Sequence, residues 1–171
     1  MRFIDLAQFV VSRFVVSRFD GFFNNSNVKA SLLIPANALI IGTAISVFMS
    51  ISEKALISSP ERVVLTLAIF LSLIATFFSL KVVFSFLDSG NKMFKYHSMI
   101  YFGSISSFSE DDFVERVKNT KEDDIEEDLA RQMHVLSRGL TRKFENVNKS
   151  VIFTGLSFLS LASLGLLIIW G

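Results

Sequence analysis

The chain has 171 residues, 51% of them hydrophobic and 19% charged, with a formal net charge of +1 and no cysteine; its mean hydropathy is +0.50. The small net charge gives no electrostatic case for a nucleic-acid polymer as partner. Missing thiols exclude disulfides, thiol catalysis and cysteine metal sites. The charges are kept out of three long apolar runs, the pattern of an integral membrane protein.

Residues 1–28 read as an N-terminal amphipathic or interfacial segment. They hold a tandem repeat, FVVSR, at 9–13 and 14–18. Five residues turn a helix by about 140° net, so the repeat builds no single face. Arg2, Asp5, Arg13 and Arg18 still leave apolar surface at Phe3, Leu6, Val10, Phe14 and Phe22. That surface fits a helix lying on the membrane, a buried helix, or a strand, since Phe and Val dominate. The same charges argue against a cleaved signal peptide. GFFNNSN at 21–27 reads as a turn that offers Asn27 as a helix cap.

Residues 29–86 read as a two-helix transmembrane hairpin. The first span covers 31–51, about the length a bilayer requires. Pro35 is near enough to its start to be tolerated, or else kinks it. Asn37 is a polar amide at lipid depth, fit for inter-helix hydrogen bonding or a water path. Gly42, Ala44 and Ser46 permit close helix packing. A short loop at 52–62 contains Pro60, which stops the helix from running on. The second span covers 63–84. Ser72, Thr76 and Ser79 share one face of it, either as helix-to-helix hydrogen-bonding groups or as a pore lining in an oligomer. Lys81, near its end, reaches for the interface.

Residues 87–150 read as a cytoplasmic helical region. LDSGN at 87–91 is a turn. Lys92, Lys95 and His97 lie close to Tyr96, Tyr101 and Phe102, a basic and aromatic cluster that suits either a stacked nucleotide or a juxtamembrane belt. Ser109 and Asp112 form a capping box for a short helix to about Asn119, and Thr120 with Asp123 forms another. From 123 to 170 no proline intervenes, so the charged segment and the third span, 151–170, form one helix of roughly 70 Å. Its soluble half has an apolar stripe, Ile125, Leu129, Met133, Leu136, Leu140, Phe144, Val147 and Val151. Opposite lie Glu127, Arg131, His134, Arg138, Arg142, Glu145 and Lys149. Arg131, Arg138 and Arg142 are spaced to meet one phosphate or a neighbouring subunit, because arginine offers paired donors; Glu127 and Glu145 are spaced to pair with them along the helix instead. Trp170 suits an interface anchor.

Basic residues crowd the N-terminal flank and the middle segment, while the short loop holds only Lys54 and Arg62. The positive-inside rule then puts the N-terminus in the cytoplasm and the C-terminus outside. No P-loop, GxGxxG, HExxH or nucleophile elbow occurs, so no enzyme, cofactor or metal site is expected. His97 and His134 lack ligand spacing. The acids at 122–128 suit a helix dipole better than a divalent ion. The fold class is therefore all-α integral membrane, with three spans, a helical cytoplasmic part, and the third span continuous with a long cytoplasmic helix.

Three stretches carry a resemblance. NVKASLLIPANALIIGTAISVF, YFGSISSFSEDDFVERV and EDLARQMHVLSRGLTRKFENVNKSVIFTGL occur in order between Asn27 and Leu156. They resemble the entry to the first span, the aromatic-Phe-Gly segment with its Ser-acidic-acidic-Phe helix, and the long helix of the Pycsar transmembrane effector family. In the last, Asp128, Leu129, Ala130, Leu136, Ser137, Arg142 and Lys143 stand in that family's pattern. The repeated N-terminal segment is not placed in that pattern. The resemblance implies a bacterial antiphage effector of the inner membrane. It would be homo-oligomeric in the lipid bilayer and activated by a cyclic nucleotide made by a partner cyclase; the basic face and the aromatic cluster offer Arg131, Arg138, Arg142 and Tyr101 as its ligand residues. The competing expectation is a membrane scaffold without a pore, recruiting a soluble partner through its cytoplasmic helix.

Overall fold

The computed structural model describes residues 3–53, 59–84 and 98–170. Among the described residues five helices follow in order: α1 (Phe3–Glu53), α2 (Ser59–Val83), α3 (Phe102–Ile105), α4 (Glu110–Asn119) and α5 (Glu122–Trp170). Among the described residues there is no strand. The chain is all-α, with the third span continuous with a long preceding helix, as its proline-free sequence implies. Contacts divide it into two compact units. Unit 1 comprises Met1–Phe23 and Phe86–Arg142; unit 2 comprises Asn24–Ser85 and Lys143–Gly171. The turn expected at 87–91, together with Lys92, Lys95, Tyr96 and His97, lies outside the described residues.

The turn expected at 21–27 does not form. Helix α1 runs straight through it, and Pro35 also lies inside that helix. Gly costs about 1 kcal/mol in a helix interior and asparagine less. Tertiary contacts outweigh that cost. Ser26 is fully buried, the Asn27 amide oxygen accepts a 2.7 Å hydrogen bond from Lys143, and the Asn27 carbonyl accepts from the Ser31 hydroxyl. The polar run nonetheless has a structural counterpart, because the boundary between the units falls at Phe23 and Asn24.

Pro60 sits in the first turn of α2, where its missing N–H has no helical partner to lose. Ser109 caps α4 as its sequence implies. Its hydroxyl accepts from the Asp112 N–H at 3.2 Å and donates to the Asp112 carboxylate at 2.6 Å. The second capping box is displaced by one residue. Thr120 closes α4, its hydroxyl donating back to the Arg116 carbonyl at 2.7 Å, and it is the Lys121 N–H that donates to the Asp124 carboxylate at 3.1 Å.

Unit 2 buries small and polar side chains among a few larger apolar ones and turns many of its large apolar residues outward. Its buried positions recur at threes, fours and sevens on each helix: Ser26, Ala30, Asn37, Ile40 and Ala44 on α1; Leu65, Ala68, Ser72, Ala75, Ser79 and Val82 on α2; Lys143, Val147, Ser150, Ser157 and Leu164 on α5. Leu39, by contrast, is 73% exposed, and Leu32, Phe70, Phe158 and Leu159 also face outward. Water would reward the reverse arrangement. Lipid removes that reward and leaves close packing of small residues and satisfied hydrogen bonds to hold helices together. Two apolar layers bracket the polar one: Ala30, Val82 and Val147 at one end, and Ala44, Leu65 and Leu164 at the other. All three long helices are long and apolar enough to cross a membrane.

In unit 1 the expected apolar stripe of α5 is partly used. Leu129 and Leu140 are buried, whereas Ile125 stays exposed at its end. Helix α4 buries none of its residues and leaves Val114 and Val117 exposed.

Candidate functional site

Two polar arrangements stand out, one in each unit. In unit 1, Asp128 is almost wholly buried on the second turn of α5. One carboxylate oxygen accepts from the Ser98 hydroxyl at 3.0 Å and from the Met99 N–H at 2.7 Å. The Ser98 oxygen in turn accepts from the N–H groups of Ile100 and Tyr101. A single carboxylate thus fastens the 98–101 segment to α5, through bonds strengthened by its charge. The other oxygen, Oδ1, is buried without a hydrogen-bond partner. Sequence reasoning placed Asp128 in an acidic run serving the helix dipole. That account fits Glu122, Asp123 and Asp124 in the first turn, but not a buried acceptor further along.

An open groove of about 630 Å³ runs beside this clasp between α4 and α5. Met99, Phe108, Asn119 and Thr120 line it, with Asp112, Glu115, Asp124 and Glu127 against a single guanidinium, Arg116. Arg116 lies 5.3 Å from the Phe108 ring centroid. Four carboxylates facing one cation disfavour an anion in this groove.

The arginines proposed for a phosphate lie on α5. Arg131 is ion-paired with Glu127 one turn earlier, the intrahelical alternative. Arg138 and Arg142, one turn apart, are exposed. Tyr101 is half-buried at the start of α3, its ring packed over Gly103. A Cβ on Gly103 would lie 2.5 Å from the nearest Tyr101 ring carbon and 3.2 Å from its hydroxyl. Gly103→Ala is therefore expected to displace the ring and destabilise unit 1 by about 1–3 kcal/mol. Thermal unfolding followed by tyrosine fluorescence will test it; an unchanged midpoint would mean the ring moves without cost.

In unit 2 the polar residues singled out on α1 and α2 turn inward. Asn37, Ser72 and Ser79 are fully buried, and Thr76 is half-buried, donating to the Ser72 carbonyl. Asn37 spends its two amide protons on the Leu33 carbonyl and on the Thr154 hydroxyl, at 2.8 and 2.9 Å. Ser79 pairs with Ser150 at 2.6 Å and Ser72 with Ser157 at 2.9 Å. Ser150 also donates to the Ala75 carbonyl, and Ser157 to the Ala68 carbonyl. Each of these serines has one proton. The direction of the pairs is thereby set: Ser79 donates to Ser150, and Ser72 to Ser157. Thr154, Ser150 and Ser157 were missed as partners, although Val147, Ser150, Thr154 and Ser157 keep the same three-four spacing as the buried positions of α2. Next to this seam Lys143, also missed, is buried and donates to Asn27.

Among the described residues no group of three His, Asp or Glu side chains could hold a metal ion. No curated protein and no solved structure matches the chain. A family model does: the Pycsar effector protein domain, PycTM, matches residues 11–170 and so includes the helices of both units. With its three apolar spans and lipid-facing exterior, the chain belongs to the Pycsar effector family and is a multi-pass inner-membrane effector of antiphage defence.

Proposed function

We propose that this effector impairs the inner membrane as a homo-oligomer, by forming a pore or depolarising it, when a cyclic nucleotide made by a partner cyclase binds its cytoplasmic part. The observation that carries the reading is α5. One uninterrupted helix bears the exposed Arg138 and Arg142 and the seam residues Ser150, Thr154 and Ser157. Both halves belong to one continuous helix, so a ligand that turns or shifts the charged half acts on the apolar half. Arg138, Arg142 and, through the clasped 98–101 segment, Tyr101 are the ligand groups in this reading, with Arg131 released from Glu127 to join them. The acidic α4–α5 groove is a poorer home for a phosphate. The protein works by conformation and not by catalysis. Its N-terminus is cytoplasmic and its C-terminus outside, following the basic residues. The conducting path lies between copies, because the seam hydroxyls are satisfied within one chain; Gly42 and Gly155, whose outer faces are open, let copies approach closely.

The test is membrane potential in cells expressing the chain alongside cyclases that supply different cyclic nucleotides. One nucleotide is expected to depolarise them, and Arg138→Glu with Arg142→Glu is expected to abolish the response at normal expression. Full depolarisation by that variant would remove both arginines from the mechanism. The exposed Val114 and Val117 on α4 favour a second reading, a scaffold that recruits a soluble partner. Dye leakage from liposomes holding only this protein and the active nucleotide separates the two, since a scaffold alone leaks nothing.

A further inference from the structure

Unit 2 carries a cluster on the α2–α5 face that neither the seam nor the nucleotide reading uses. Lys81 Nζ lies 4.8 Å from the Phe77 ring centroid, and Lys149 Nζ lies 5.6 Å from that of Phe78. The rings join the two lysines: Phe77 meets Phe78 edge-on at 5.9 Å, and Phe78 stacks nearly parallel on Phe153 at 5.8 Å. Phe77 is 55% exposed, and both lysines are exposed.

The Ser79–Ser150 hydrogen bond fixes the level of this cluster on both helices. Lys81 follows Ser79 by two residues and Lys149 precedes Ser150 by one. On these antiparallel helices both ammonium stems therefore leave on the same side of the bond, within about 3 Å of it along the axis. Phe78 and Phe153 lie on the other side, toward the apolar belt. Beyond these lysines α2 has no charge from Val63 to Leu80, and α5 has none from Ser150 to Trp170. Two cations thus stand at the end of the charge-free stretch of each helix, with aromatic rings about one turn deeper and the exposed Val83 and Phe84 just beyond Lys81. Glu145, one turn from Lys149 on α5, makes no ion pair with it, and among the described residues no carboxylate pairs with Lys81 or Lys149.

We infer that this face is a binding site for an anionic phospholipid, its phosphate held by Lys81 and Lys149 and its upper acyl chain lying on Phe77, Phe78 and Phe153. Charge complementarity and depth select the occupant: the cations lie where lipid phosphates lie, and the rings where chains begin. A soluble anion would use the cations and leave the rings bare.

The test is native mass spectrometry of the full chain after equilibration with vesicles of equal phosphatidylglycerol and phosphatidylcholine. Retained lipid is expected to be enriched in phosphatidylglycerol. Lys81→Gln and Lys149→Gln should each lower the enrichment about 5-fold, and together about 30-fold. Lys81→Arg with Lys149→Arg should preserve it. The charge-matched pair Lys29→Gln and Arg62→Gln should leave it unchanged. Helix content in phosphatidylcholine alone checks that each variant is folded, and the single variants carry the test if the double one is not. Enrichment retained in a folded Lys81→Gln or Lys149→Gln variant overturns the proposal. Equal loss in the charge-matched control overturns it as well, since the attraction is then general. Displacement of the lipid by excess inorganic phosphate would mark a free-anion site and overturn it too.

Discussion

Replacing Ser157 with leucine is expected to unseat α5 from α2 and cost roughly 3 kcal/mol of unit 2 stability. Ser157 is fully enclosed, and its oxygen lies 2.6 Å from the Ala68 carbonyl and 2.9 Å from Ser72. Leucine adds branched bulk where two backbones meet closely, and overpacking alone costs about 1–3 kcal/mol. The lost hydrogen bonds add about 0.6 kcal/mol each at membrane depth. Ser157→Ala removes the same bonds without the bulk and should cost only about 1 kcal/mol. Denaturation in mixed micelles separates the two. Equal losses in both variants would show that hydrogen bonding, and not close approach, holds the seam. In cells, Ser157→Leu should reach the membrane yet lose toxicity.

Removing the Asp128 carboxylate should be comparably severe in unit 1. Two hydrogen bonds end on it, each to a charged acceptor and worth about 1.5–3 kcal/mol. Asp128→Ala is expected to cost about 3 kcal/mol and to raise amide hydrogen exchange at 98–105 while exchange in 150–164 stays slow. Asp128→Asn keeps one oxygen for Ser98 and Met99 and loses only its charge, so its effect should be smaller. Unchanged exchange at 98–105 in Asp128→Ala would mean that the segment is fixed by other contacts.

Much of the architecture is legible in the residues themselves. Hydrophobic length marks the three spans, the absence of proline marks α5, and Ser109 with Asp112 marks the start of α4. These are local signals that act within a few turns. The failures come where a distant contact decides. Gly21 and its asparagines have turn chemistry, yet Lys143, more than a hundred residues away, binds Asn27 and the helix continues. Thr120 has cap chemistry, but it serves as the C-cap of α4 and α5 starts at Glu122. Ser72 and Ser79 are readable as one face of a helix, whereas only folding reveals Ser157 and Ser150 opposite them. Asp128 looks like its acidic neighbours until the 98–101 segment is laid against it. Of the arginines proposed as ligand groups, Arg131 has the local partner its spacing allowed, and Arg138 and Arg142 are exposed.

The direction of the serine pairs has a further consequence. A proton hops along hydroxyls only while each acceptor has another acceptor beyond it to which its own proton can pass. From Ser79 the chain runs to Ser150 and stops at the Ala75 carbonyl; from Ser72 it runs to Ser157 and stops at the Ala68 carbonyl. Amide carbonyls carry no proton to hand on, so both chains are dead ends for a Grotthuss relay, and Asn37 with Thr154 ends likewise on the Leu33 and Ser150 carbonyls. In this arrangement the polar interior of the folded three-helix unit insulates against protons, although it lies at the depth where a proton wire would have to run.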